Sequence, residues 1–177
     1  GIRLSGATRR AFPHNDLEAL DALLASLRPR FERVCIIVEG IYSMDGDMPD
    51  LPALTHIKRR HDAFLMVDEA HALGVLGATG KGLAEYYGLP GTDVDIWMGT
   101  LSKTLAGCGG YIAGSRALVE ILKFAAPGFV YSVGLAPPLA AASLAALRIM
   151  LREPERVGRL RDRARLFLNL AGQHGLN

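Results

Sequence analysis

Cysteine is scarce in this chain, two in 177 residues, and tryptophan occurs once. Two thiols, Cys35 in an apolar run and Cys108 in a glycine-rich loop, make no framework of bridges, which excludes a disulfide-stapled secreted scaffold and predicts a reducing, cytoplasmic compartment. Charge of one sign is also missing. The 20 basic and 18 acidic residues leave +2, so nothing global attracts nucleic acid or an anionic membrane. The one local excess, six arginines from Arg152 to Arg165, is interleaved with Glu153, Glu155 and Asp162 and reads as solvated helix surface. No uninterrupted apolar run of membrane length occurs: Phe124 to Leu147 is uncharged, but Pro127, Gly128, Gly134, Pro137 and Pro138 break it. The first residues lack a basic segment followed by an apolar one, so no signal peptide is expected. His14, His56, His61 and His174 show no metal-ligand spacing and read as structural or exposed.

What is present is apolar and periodic. Half the residues are hydrophobic, enough for the core of one domain or a large piece of one. The chain opens on Gly1 and stops at Asn177 just after a helical pattern, which reads as a segment of a longer protein. Asn15 with Glu18 predicts a capped helix whose apolar face carries Leu17, Leu20, Leu23, Leu24 and Leu27. Strands are expected over Val34–Val38, Ala63–Val67, Val94–Met98, Gly110–Ala113 and Phe129–Val133. The first two read as buried on both sides. Helices are expected over Pro49–His61, Ser115–Ala125, from Pro137 or Pro138, and over Pro154–Leu170. Apolar strands alternating with helices predict an α/β fold, with a mostly parallel sheet and helices on both faces.

In such sheets ligands gather beyond the carboxyl ends of strands. Ser43, Asp68, His71, Thr100 and Lys103 all follow predicted strand ends. Lys103 is a lone lysine among hydroxyls and glycines in Gly99-Thr100-Leu101-Ser102-Lys103-Thr104-Leu105-Ala106-Gly107, thirty-five positions after Asp68. A partly desolvated lysine forms Schiff bases. The cofactor that uses one is pyridoxal phosphate, whose ring nitrogen asks for an acidic partner, and Asp68 supplies a candidate. Hydroxyls beside the lysine, Thr100 and Ser102, suit a phosphate ester.

Asp68-Glu69-Ala70-His71 also spells the acidic box of a helicase-type nucleotidase. That chemistry needs a G-x-x-x-x-G-K-[ST] phosphate loop, and around Lys103-Thr104 the glycine positions hold Trp97 and Ser102. Gly107-Cys108-Gly109-Gly110 lacks dinucleotide-site spacing and reads as a tight turn into the strand at Tyr111.

The segments Glu39-Gly40-Ile41-Tyr42-Ser43-Met44-Asp45-Gly46-Asp47, Val67-Asp68-Glu69-Ala70-His71 and Gly99-Thr100-Leu101-Ser102-Lys103 follow one another in the order and spacing of the α-oxoamine synthases. His14-Asn15-Asp16, and Tyr131-Ser132 followed by Pro137-Pro138, fit the same pattern. The chain thus resembles this pyridoxal-phosphate family over almost its whole length. The resemblance implies a fold-type I architecture, with residues 1–177 as the central part of the cofactor-binding large domain and helices from about residue 135 leading toward a small domain. It implies condensation of a small amino acid with an acyl-CoA thioester, usually with decarboxylation, in a homodimer whose sites lie at the subunit interface. By position, Lys103 is similar to the Schiff-base lysine and Asp68 to the partner of the ring nitrogen. His71 and Ser43 correspond to groups near the phenolic oxygen, and Thr100 and Ser102 to phosphate contacts. Ser132 corresponds to a phosphate contact from the neighbouring subunit, although Val133 departs from the threonine common after that serine. The family's ring-stacking histidine and its carboxylate-binding arginine would lie outside this segment. An aminotransferase of the same fold, or a catalytically silent partner subunit, is the competing expectation.

Overall fold

Helix starts are set by side-chain caps. In the computed structural model, which describes residues 2–176, α1 (Leu17–Leu27) begins where the Asp16 carboxylate accepts the Ala19 amide at 2.8 Å. Asp16, not the expected Asn15, is therefore the cap. Asn15 sits at φ 53° and turns its amide to Asp47 instead. Asp50 caps α2 (Leu51–Arg60) in the same way through Ala53, and, as expected, Ser115 caps α4 (Arg116–Ala125) through Leu118. The remaining α-helices among the described residues are α3 (Leu83–Tyr87), α5 (Pro127–Val130), α6 (Pro137–Arg152) and α7 (Glu155–Gln173).

Four strands, β1 (Cys35–Glu39), β2 (Phe64–Asp68), β3 (Ile96–Thr100) and β4 (Gly110–Gly114), form one sheet in that order. The first three are parallel and β4 runs antiparallel to β3, so the sheet is mostly parallel as expected. The fifth strand expected at Phe129–Val133 is not formed. The Phe129 and Val130 amides both bond to the Ala126 carbonyl, closing α5 behind Pro127, and a turn follows at Tyr131. A short apolar run without period cannot distinguish strand from buried helix, and Pro127 suits a first helical turn.

Ile36, Val38, Leu65 and Val67 point to one face of the sheet and form a single buried cluster with Leu20 and Leu24 of α1 and Leu51, Leu54 and Ile57 of α2. The opposite face is open among the described residues: Ile37 is 41%, Phe64 42% and Ile112 38% exposed. The first two strands, expected to be buried on both sides, thus alternate in burial. Among the described residues no helix is long and apolar enough to cross a membrane.

One ion pair ties α2 to the sheet. The Lys58 ammonium, on a nearly buried side chain, lies 2.7 Å from Asp95 Oδ2, and the same oxygen accepts the Leu65 amide at 2.7 Å. Asp95→Ala strands both donors. It is expected to destabilise the fold by about 3 kcal/mol, read as a lowered urea midpoint at unchanged m-value.

Candidate functional site

The parallel register sets Glu39 beside Asp68 and Asp68 beside Met98, with Thr100 closing β3 two residues further on. The carboxyl ends of three adjacent strands therefore present Glu39, Asp68 and Thr100 along one edge. Asp68 Oδ1 accepts the Ala70 amide at 2.8 Å, a local turn that orients the carboxylate. Its other oxygen takes no hydrogen bond among the described residues, which leaves it available to a ligand.

Ser43 lies on the loop leaving β1, and its amide donates to Glu39 Oε2 at 3.2 Å. The same oxygen is 3.9 Å from His71 Nδ1, with both side chains partly exposed. Glu39 thus joins two predicted residues although the sequence reading passed over it. The signal that would have found it is its place at the end of β1, directly opposite Asp68. The Ser43 loop is clamped further along, where Asp47 Oδ2 lies 2.8 Å from His14 Nε2 and accepts the Asn15 amide at 2.8 Å. The His14 ring meets Tyr42 edge-on at 4.5 Å.

At the end of β3 the Thr100 and Ser102 hydroxyls are 2.7 Å apart, and the Ser102 amide donates to Thr100 Oγ1 at 3.2 Å. Lys103 follows, exposed, on a loop closed by Gly107 N–H donating to Leu101 C=O at 2.7 Å and Leu101 N–H donating to Gly109 C=O at 3.0 Å. The tight turn expected at Gly107–Gly110 is present, with Gly109 at φ 104°. Thr104 Oγ1 donates to Leu73 C=O at 2.7 Å, docking the lysine loop on the loop that leaves β2. Gly74, at φ 79°, lies against Thr104 with no space for a β-carbon. Tyr111 of β4, which the sequence reading also missed, lays its ring over Gly99. Burial, with the Glu69 and Asp68 carboxylates nearby, pushes its phenol above the ordinary range.

Ser132 stands apart from this group. Its hydroxyl donates to Phe129 C=O at 3.1 Å and accepts the Gly134 amide at 3.2 Å, with no hydrogen bond to the strand-end residues.

The whole chain, residues 1–177, matches the family model described as aminotransferase class I and II. The chain belongs to that family. Among class I and II aminotransferase relatives, it is 44% identical over 169 residues to 8-amino-7-oxononanoate synthase of Fervidobacterium nodosum, covering 94% of this chain and 42% of that protein. It is 39% identical over 190 residues to serine palmitoyltransferase 2 of Caenorhabditis elegans, covering 99% of this chain and 34% of that protein. The structure superposes on serine palmitoyltransferase K265A from S. paucimobilis, solved with bound pyridoxal phosphate and myriocin, with a TM-score of 0.80 and 32% identity, covering 86% of this chain and 39% of that one. The chain thus spans less than half the length of these relatives. Both named activities belong to the α-oxoamine synthases that the motifs resemble, and the fold is the fold-type I architecture that the resemblance implies.

Proposed function

We propose that the protein carrying this chain is a pyridoxal-phosphate-dependent acyltransferase, condensing a small amino acid with an acyl-CoA thioester to release CoA and give, in the usual case where carbon dioxide is also lost, an α-amino ketone. The observation that carries this reading is the juxtaposition, at the carboxyl ends of the adjacent strands β2 and β3, of a free carboxylate oxygen (Asp68), a hydroxyl pair (Thr100, Ser102) and an exposed lysine (Lys103) on a braced loop. That donor set fits the group. An anionic acceptor suits a protonated ring nitrogen, hydroxyls and an amide suit a phosphate ester, and an amine suits an aldehyde carbon.

Bound there, pyridoxal phosphate would supply the electron sink for a carbanion at the amino acid's α-carbon. Lys103 Nζ would be the amine that attaches the group and the general base that takes the α-proton. Asp68 would keep a proton on the ring nitrogen by placing a negative charge beside it. Thr100 and Ser102 would hold the phosphate. His71 and Ser43 would serve the phenolic oxygen, and Glu39 steadies both, one through the Ser43 amide and the other through charge beside Nδ1. His71 also stabilises charge on the thioester oxygen during attack, a role worth about 3 kcal/mol by the measure of oxyanion donors.

Ser132, remote from the other residues within one chain, fits a phosphate contact given to the neighbouring subunit of a homodimer. Residues 1–177 fit the central part of a large domain, with residues from about 135 leading to a small one. The near-neutral charge and the two unpaired thiols fit the cytoplasm. Thiol release tests the reaction. The holoprotein, given an acyl-CoA, is expected to liberate free CoA only when glycine, alanine or serine is added. Amino-group transfer without thiol release would replace the acyltransferase reading by an aminotransferase one.

A further inference from the structure

Glu69 is the one acid buried among the described residues, 4% exposed, and no step of the proposed reaction uses it. Asp68 and His71 on either side of it face the strand-end site, while the Glu69 side chain turns back into the core. Its Oε1 accepts the Leu83 amide at 2.9 Å, and its Oε2, fully buried, has no hydrogen-bond partner. Its amide donates to Met98 C=O of β3 at 2.7 Å, and its carbonyl accepts both the Ala72 and Leu73 amides at 3.0 Å. Two glycines are shaped around the carboxyl group. A β-carbon on Gly40 would stand 3.3 Å from Oε1 and 2.9 Å from the Ala72 β-carbon. Gly82, at φ 92°, has no space for a β-carbon beside Oε2. Gly40 opens the Ser43 loop. Gly82 ends the loop whose first residues, Leu73 and Gly74, seat Thr104 beside Lys103.

We propose that Glu69 is a positioning residue, locking the turn that carries Asp68 and His71 to the roots of the Ser43 loop and of the loop that seats Lys103. The catalytic consequence rests on the acyltransferase reading above; the lock itself does not. An ionised oxygen with no partner in the core costs far more than a neutral one, so the lock works best protonated. Burial above all pushes the Glu69 carboxyl up to about 7, the Leu83 amide works against it, and the Asp68 charge adds to it. Tyr111 faces it from β4, while Gly40, Ala72, Gly82 and Leu83 bring no charge.

The sign follows from the two states. The unfolded carboxyl loses its proton near the ordinary 4.5, the folded one only near 7, so the stability this proton confers is full below about pH 4.5 and is lost as pH rises to about 7. Glu69→Gln keeps the shape and has no such proton. The test compares unfolding constants of apoproteins, wild type over Glu69→Gln, in which other titrations cancel. The ratio is expected to rise by about 10²-fold between about pH 5 and pH 8. In the holoprotein, Glu69→Ala is expected to lower kcat about 10²-fold, while Glu69→Gln restores it to within about threefold of wild type. A ratio flat across pH, or a Glu69→Ala enzyme with wild-type kcat, would overturn the proposal. If the wild-type holoprotein releases no thiol, the reaction reading fails, and the apoprotein ratio still decides whether Glu69 is the lock.

Discussion

Lys103→Ala is expected to lower kcat/KM by about 10⁴-fold, the upper range for removing a positioned proton-transfer group, and to abolish the yellow colour of the holoprotein. Two of the other three lysines of the chain are held in ion pairs. Lys58 is held by Asp95 beneath the sheet, and Lys123 pairs with Glu120 on α4. Lys81 lies in the loop before α3, where its amide bonds to Glu85. Lys103→Arg preserves the charge and is expected to be equally inactive, because a guanidinium is always protonated and forms no carbon–nitrogen double bond with an aldehyde. Steady-state assays beside absorption spectra check both variants. An arginine variant that retained colour and rate would show that the lysine serves only as a charge.

Asp68→Asn is expected to lower kcat by about 10³-fold. At about 4 Å and an effective dielectric near 20, a carboxylate stabilises a neighbouring cation by about 4 kcal/mol, which corresponds to about three pKa units on the ring nitrogen. The substitution isolates that charge. Asparagine can still accept the Ala70 amide through its side-chain oxygen, so the turn after β2 survives and thermal stability changes little. Circular dichroism with kcat measurement checks the separation: unchanged unfolding with the rate lost is the expected pair, and unfolding that falls together with the rate would make Asp68 a fold residue.

The site was legible in the sequence to the extent that it depends on strand ends. Apolar runs located β1, β2 and β3, and the residues following them, Asp68, Thr100 and Lys103, fall on one edge because parallel pairing aligns carboxyl ends. Residues whose importance arises from contacts between loops were not legible. Glu39 matters because Ser43 and His71 meet its carboxylate across two loops, and Tyr111 because antiparallel pairing sets it over Gly99. Asn15 shows the same limit. Its pattern with Glu18 suggested a cap, but its bond to Asp47, more than thirty residues away, is tertiary. The Phe129–Val133 run lacked period, and only the Ala126 carbonyl decided for a helical turn.

Residue-level mapping of the cofactor attachment tests the central assignment most directly. The holoprotein is reduced with borohydride, digested, and its peptides sequenced by mass spectrometry. The pyridoxyl mass is expected on Lys103 alone, and Lys103→Ala should carry none. A label on Lys58, Lys81 or Lys123, or no label on a protein that turns over substrate, would contradict the assignment of Lys103 as the residue on which the chemistry is built.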